Sequence, residues 1–159
     1  MPKILPIITY PDKELRQKCK EVKKINDKIR RLIANMERTM LEKDGIGLAA
    51  PQVGCDIRVI IVNTKDGPMH FINPAITKKS WGKETAEEGC LSIPNFFGPV
   101  KRSKSVNVIY LDKENKKKHL KAEGLFARVI QHEVDHLNGV LFIDYLKKKD
   151  LKNLPRESE

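Results

Sequence analysis

Apolar residues recur at steps of three and four at Ile25, Ile29, Leu32, Ile33, Met36 and Met40, with charged residues between them. This spacing predicts an amphipathic helix, capped by Asn26 or Asp27 and ended by Gly45. The same rhythm at Leu125, Val129, Ile130, Val134 and Leu137 predicts a second helix from about Gly124 to Leu137, stopped by Asn138-Gly139. The β-branched run Arg58 to Val62 reads as a buried strand. Further strands are expected at His70 to Asn73, closed by Pro74, at Ser105 to Leu111, at His119 to Ala122 and at Val140 to Ile143, with a charged turn over Asp112 to Lys118. Between the first helix and the first strand, Gly45 to Gly54 is a small-residue loop of apolar character, suited to a close approach of backbone to ligand. The stretch up to Lys24 is irregular, with a turn at Pro11-Asp12. These elements predict an α+β fold, a mixed or antiparallel sheet wrapped around a central buried helix. One domain is expected over 1–146, followed by a flexible, basic polar tail over 147–159.

Composition narrows the class. Of 159 residues, 40% are hydrophobic and 33% charged, which is too apolar for a disordered chain and too polar for a membrane protein. No apolar run approaches the roughly 20 residues of a spanning helix, and the apolar start is too short for a secretory signal. The expectation is a cytoplasmic monomer with no membrane partner. Three cysteines, Cys19, Cys55 and Cys90, cannot all pair with one another, so reduced thiols are expected. The 31 Lys+Arg against 21 Asp+Glu give a net charge of +10, which favours acidic partners such as RNA or the ribosome surface, or else marks only a lysine-rich solvated surface.

The sharpest chemical signal is His132-Glu133-Val134-Asp135-His136. Positions i and i+4 share a helix face, so two imidazoles can meet one ion while Glu133 reaches a water beside it. A catalytic site wants a third protein ligand and one open position. Asp144 lies beyond the helix stop; Cys90, freed by Gly89 before it and stiffened by Pro94 after it, is the better third ligand. Cys19 and Cys55 read as structural or incidental, and Asp135 as a solvated helix position in preference to a support behind the ligands.

Three blocks then stand in register: Gly45-Ile46-Gly47-Leu48-Ala49-Ala50-Pro51-Gln52, Glu88-Gly89-Cys90-Leu91-Ser92 and Gln131-His132-Glu133-Val134-Asp135-His136. Their order and spacing resemble the peptide deformylase family, through to about Asp144. The short distance between the first two blocks resembles its Gram-negative and organellar type. The resemblance implies a metal-dependent hydrolase that removes the N-formyl group from the initiator methionine of nascent polypeptides and releases formate. It implies that Cys90, His132 and His136 hold one divalent metal, natively Fe2+, in a site that Zn2+, Ni2+ or Co2+ can also fill. By the same matching, Glu133 is the general base, and the Gln52 side chain and the Leu91 backbone N–H face the oxygen that gains negative charge. Ile46, Gly89 and Val129 match walls of the methionine pocket, and Gly47 offers backbone hydrogen bonds to an extended peptide. Glu88 and Arg102 would form an ion pair under the Cys90 loop.

Two departures stand out. Asn95-Phe96-Phe97-Gly98 occupies a place where many members carry Arg or another polar residue, so an aromatic rim is expected around the cleft. The tail is short, though Lys147-Lys148-Lys149 is basic enough for RNA contact. The rival readings are a His-Glu-x-x-His metalloprotease, which would want a third ligand downstream, and a basic ribosome- or RNA-binding domain with a structural metal, which would want a fourth protein ligand.

Overall fold

The computed structural model describes residues 1–155. In chain order its main elements are α1 (Asp27–Glu42), β1 (Gly47–Ala49), β2 (Val59–Thr64), β3 (Gly67–Lys79), β4 (Lys83–Cys90), β5 (Ile93–Ser103), β6 (Ser105–Leu111), β7 (Lys117–Glu123) and α2 (Gly124–Leu137). Strands β1-β2-β3-β6-β7 pair antiparallel in that order. Strands β4 and β5 form a separate antiparallel hairpin between β3 and β6. The architecture is α+β, with antiparallel sheets and two helices.

The unbroken β-branched character of β2 has a structural reason: the strand is buried on both faces. Ile60 and Val62 pack with Phe71, Val106 and Val108 against Ala127, Ile130, Val134 and Leu137 of α2. Val59 and Ile61 alternate to the other face, where they join Leu48 and Ile72 against Ile33, Met36 and Met40 of α1. A third cluster, including Leu15, Ile93, Phe96, Val100 and Phe142, lies under the β4–β5 hairpin. Each fully buried Leu, Ile or Phe side chain contributes roughly 1.5–3 kcal/mol.

Local chemistry fixes the helices. The Asn26 side chain accepts from the Ile29 N–H at 3.1 Å and caps α1. That helix ends at Glu42, three residues before the predicted Gly45, because Asp44 takes a left-handed conformation and the Gly45 N–H returns to Met40 O. At the C-terminus of α2, Leu137 O accepts from the Cys19 N–H at 2.8 Å and from Arg58 Nη1 at 3.1 Å. A cation there also complements the helix dipole. Gly139 follows with φ 75°, and a side chain would collide with Arg16 O, so only glycine fits.

Several elements differ from their sequence reading. β3 does not close at Pro74 but continues to Lys79. Asn73 turns to φ 51° at a bulge between Ile72 and Ala75, where the missing proline N–H breaks no ladder bond. The Asn73 side chain also holds Val22 through its N–H (2.8 Å) and its carbonyl (2.9 Å), which ties the N-terminal stretch to the sheet. The predicted loop at Gly45 to Gly54 contains β1, paired Gly47↔Val62 to Ala49↔Ile60, and a 3-10 turn at Ala50–Val53. Val140 to Ile143 is not a strand; a 3-10 turn at Phe142–Tyr145 takes its place, with Phe142 and Ile143 buried. Strands β4 and β5 are new relative to the sequence reading. Of the basic tail, residues 156–159 lie outside the described residues; Leu151 and Leu154 pack partly against the third cluster. No described helix is long and apolar enough to cross a membrane.

Candidate active site

The helical periodicity that buries α2 against the sheet also aims its motif. His132 and His136 lie one turn apart, with ring centroids 5.1 Å from each other. Cys90 ends β4, where a bulge after Glu88 brings the chain into the tight turn to Ile93. Its Sγ lies 3.3 Å from His136 Nε2. One donor atom from each of Cys90, His132 and His136 falls within 4.8 Å of the others. The three expected ligands are therefore brought together by a hairpin and a helix. Asp144 is not among them: both its oxygens bind Arg16, at 2.7 and 3.0 Å.

A buried ionic network supports the histidines. Glu88 Oε1 lies 2.9 Å from His132 Nδ1, so the carboxylate accepts a hydrogen bond from the Nδ1–H and leaves Nε2 to face an ion. Arg102 grips Glu88 with two bonds, at 2.7 and 3.0 Å, and Arg128 adds a third at 2.6 Å. Burial alone would raise the Glu88 carboxyl, but hydrogen bonds from His132 and Arg102 hold it down at about 2. The expected Glu88–Arg102 pair is present. Asp135 corrects the sequence reading: it is half-buried, accepting from Arg102 at 2.8 Å and from the Tyr145 hydroxyl at 2.7 Å. The Arg102 guanidinium in turn sits 5.0 Å from the Tyr145 ring centre. Arg128 and Tyr145 were missed. Arg128 lies one helical turn before His132, which was the available signal; Tyr145 gives none.

The donor set suits a cation. His136 Nδ1 and Glu133 Oε1 are buried without a hydrogen-bond partner among the described residues. Burial drives His136 towards its neutral, ligating form. Burial also opposes charge on His132, yet Glu133, Cys90 and Glu88 outweigh it and favour a positive charge at this point. Glu133 is buried too, and its carboxyl is pushed up to about 7, with His132 and Arg102 partly opposing that rise. A carboxyl near 7 in a cleft is poised to take and give a proton.

A cleft of about 480 Å³ opens over these groups, lined among others by Ile46, Gly47, Gly89, Leu91, Phe97 and Glu133. A larger groove, of about 1060 Å³, runs between α1 and the segments at Lys20–Lys24 and Val53–Ile57; its lining holds none of the three donors. Gln52 is fully buried: its Oε1 accepts from the Ala49 N–H at 2.9 Å, and its Nε2 donates to Ser92 Oγ at 3.0 Å and faces Cys90 Sγ at 3.5 Å. Ser92 was not anticipated. Ile46 and Phe97 stand exposed at the rim, but Phe96 turns inward to pack on Phe142, so one phenylalanine and not two forms the aromatic edge. The Phe97 ring covers Gly89 so closely that a Cβ there would lie 2.6 Å from it. Val129 sits in the core behind the cleft lining, its Cγ1 2.8 Å from where a Gly47 Cβ would be.

β1 is the edge strand of the five-stranded sheet. Ile46 O accepts from the Asn63 N–H at 2.9 Å, which turns the alternate residue, Gly47, outward. Its backbone groups are thus open to an added strand.

The chain has close relatives. The sequence model of the Polypeptide deformylase family matches residues 4–152. A peptide deformylase of Rhizobium meliloti is 47% identical over 150 residues, covering 91% of this chain and 86% of that one. One of Pelotomaculum thermopropionicum is 45% identical over 155 residues, covering 97% and 98%. The crystal structure of the Synechococcus elongatus peptide deformylase in complex with actinonin superposes with a TM-score of 0.91 at 43% identity, covering 94% of this chain and 83% of that one. With a matched profile over nearly the whole length and the same fold in a solved relative, this chain is an enzyme of the polypeptide deformylase family.

Proposed function

We propose that this enzyme removes the N-formyl group from the initiator methionine of nascent polypeptides, giving formate and a free amino terminus. One observation carries the reading. A thiol and two imidazoles converge within 4.8 Å, beside a buried, unpartnered carboxyl oxygen of Glu133 and below an open strand edge.

In this reading Cys90, His132 and His136 hold one divalent cation. Fe2+ follows from the family, and Zn2+, Ni2+ or Co2+ also suit a site of one sulfur and two nitrogens. When bound, the cation supplies Lewis acidity to the scissile carbonyl and to water. Glu133 accepts the proton of the attacking water and returns it to the departing amine. Gln52 Nε2 and the Leu91 N–H donate to the formyl oxygen as it gains charge. Gly47 pairs with the peptide backbone, while Ile46, Gly89 and Val129 wall the methionine side chain. Residues 1–146 act as one catalytic unit, a monomer in a bacterial-type cytoplasm, and the basic surface meets the ribosome.

The test is formate release from a formylmethionyl tripeptide by protein purified without oxygen. Release should be fast in the wild type, and lost in Cys90→Ser and in Glu133→Ala. Glu133→Ala should keep its metal, since Glu133 is not one of the three donors. Full activity in that variant would refute the role of Glu133, and cleavage of an unformylated peptide would favour a protease instead.

A further inference from the structure

The chain has one tryptophan, and it is fully exposed: Trp81 is 99% accessible. It offers a flat apolar face to solvent, and the backbone that carries it is held in place. Trp81 sits in the Ser80–Gly82 turn where the chain passes from the five-stranded sheet into the β4–β5 hairpin. The return crossing, from β5 to β6, runs alongside at Lys104. Three hydrogen bonds bolt the two crossings together, and a fourth closes the turn itself. The Ser80 N–H donates to Ser105 O at 2.9 Å, the Ser105 N–H to Ser80 Oγ at 3.1 Å, the Lys104 N–H to Gly82 O at 2.9 Å, and the Ser80 hydroxyl to Gly82 O at 2.9 Å. The platform is therefore set before any partner arrives, which lowers the ordering cost of binding.

Lysines outnumber carboxylates around it, where Glu84 follows Lys83 and Glu123 pairs opposite Ser105. Lys78, Lys79, Lys83 and Lys104 are all exposed, and none has a carboxylate within ion-pair distance among the described residues. The Lys104 stem passes 3.5 Å from where a Gly82 Cβ would stand, next along the chain from the residue that carries the indole. Glu84 alternates from Lys83 to the other side of β4, as Lys78 does from Lys79 on β3. An exposed aromatic face among an excess of unpaired cations matches a polyanion that carries its own flat π surfaces.

We propose that the Ser80–Gly82 corner binds an unpaired RNA strand, with a base stacked on Trp81 and phosphates at Lys78, Lys79, Lys83 and Lys104. This gives a place to the RNA contact in the reading above and rests on it for its setting. The corner lies at the far end of β4 from Cys90, roughly 20 Å along the strand. Bound RNA would leave the cleft open to a peptide.

The sole tryptophan is its own reporter. Titration with a single-stranded RNA 12-mer should quench its emission, and log K should fall with log salt at a slope of about −3 for four phosphate contacts. By an independent readout such as anisotropy of labelled RNA, Trp81→Ala should weaken binding roughly ten-fold, while Trp81→Phe retains most of it. Lys83→Glu/Lys104→Glu should weaken binding and Lys147→Glu/Lys148→Glu should not. Formate release should be unchanged in Trp81→Ala, so failure here is separable from failure of the deformylase reading. Equal affinity of Trp81→Ala and wild type would overturn the proposal. So would a blue shift on anionic phosphatidylserine vesicles without quenching by RNA, which would mark a membrane contact instead.

Discussion

Gly47→Ala adds one methyl group at the point where β1, Val129 and Glu133 meet. The new Cβ would stand 2.5 Å from Glu133 Oε2, 2.8 Å from Val129 Cγ1 and 3.0 Å from Glu133 Cδ. Ordinary contact begins near 3.5 Å, so the carboxylate and the valine must together yield roughly 1 Å. Val129 has no room behind it, because it belongs to the packed core of α2 and the sheet. The displacement therefore falls on Glu133, the proposed base. A shift of that size in a reacting group costs on the order of a hundred-fold in rate, while overpacking costs about 1–3 kcal/mol of stability. The assay is kcat for formate release from a formylmethionyl peptide, beside metal content and a urea unfolding curve. The expected result is a large drop in kcat in a folded, metal-loaded protein. Gly67→Ala is the control: its φ of 108° strains the turn, but nothing lies within 4 Å and the site is remote, so stability should fall without loss of kcat. A Gly47→Ala enzyme with kcat within a factor of three of wild type would show that Glu133 is not held by that contact.

Removing Arg102 should be severe, since it would leave Glu88 and Asp135 short of their shared cation in a buried place; Arg102→Ala should lose about 3–5 kcal/mol in urea unfolding, and a loss below 1 kcal/mol would count against the network. Phe71→Ala removes a fully buried ring that packs on Tyr110 at 4.5 Å and should cost roughly 3–5 kcal/mol. Burial pushes the Cys19 thiol up to about 11, with the Arg58 charge opposing that rise only in part. At pH 8 its thiolate fraction is then on the order of one in a thousand, and peptide mapping after alkylation of the folded protein should find it almost unlabelled; labelling as fast as a free cysteine would refute this. Chelation should abolish formate release, and cobalt reconstitution should give a sulfur-to-metal charge-transfer band that Cys90→Ser lacks.

The helices were legible because burial on one face writes a period into the residues: Ile33, Met36 and Met40 in α1, and Ile130, Val134 and Leu137 in α2, are all buried. The convergence of the two imidazoles was legible for a related reason, since His132 and His136 stand at a helical repeat and the structure brings them together with Cys90. The β4–β5 hairpin was not. In β5, Ile93, Phe96, Gly98, Val100 and Arg102 lie inward, and an arginine and a glycine at core positions hide the alternation that would otherwise mark a strand. Arg102 is there to meet Glu88 across the hairpin, a pair that was expected although the strands that bring it together were not. Asp135 misled because its partners, Arg102 and Tyr145, come from elements far along the chain. The strand after Pro74 was missed because a bulge with Asn73 at positive φ lets proline sit inside a ladder.

The site draws its candidate donors from two parts of the fold, the turn of a hairpin at Cys90 and a helix that begins thirty-odd residues later. An ion gripped by all three is therefore also a cross-link, closing a loop of about forty residues. A covalent bridge over such a loop would restrict the unfolded chain by about 4 kcal/mol. Loss of the ion would slacken the seam between hairpin and helix, and with it the wall that carries Gly89, Leu91 and Phe97. On the proposed metal site, metal supply would govern the lifetime of the folded protein as well as its turnover, and exchange of amide hydrogens along β4 and β5 would register the ion's departure before any assay of product.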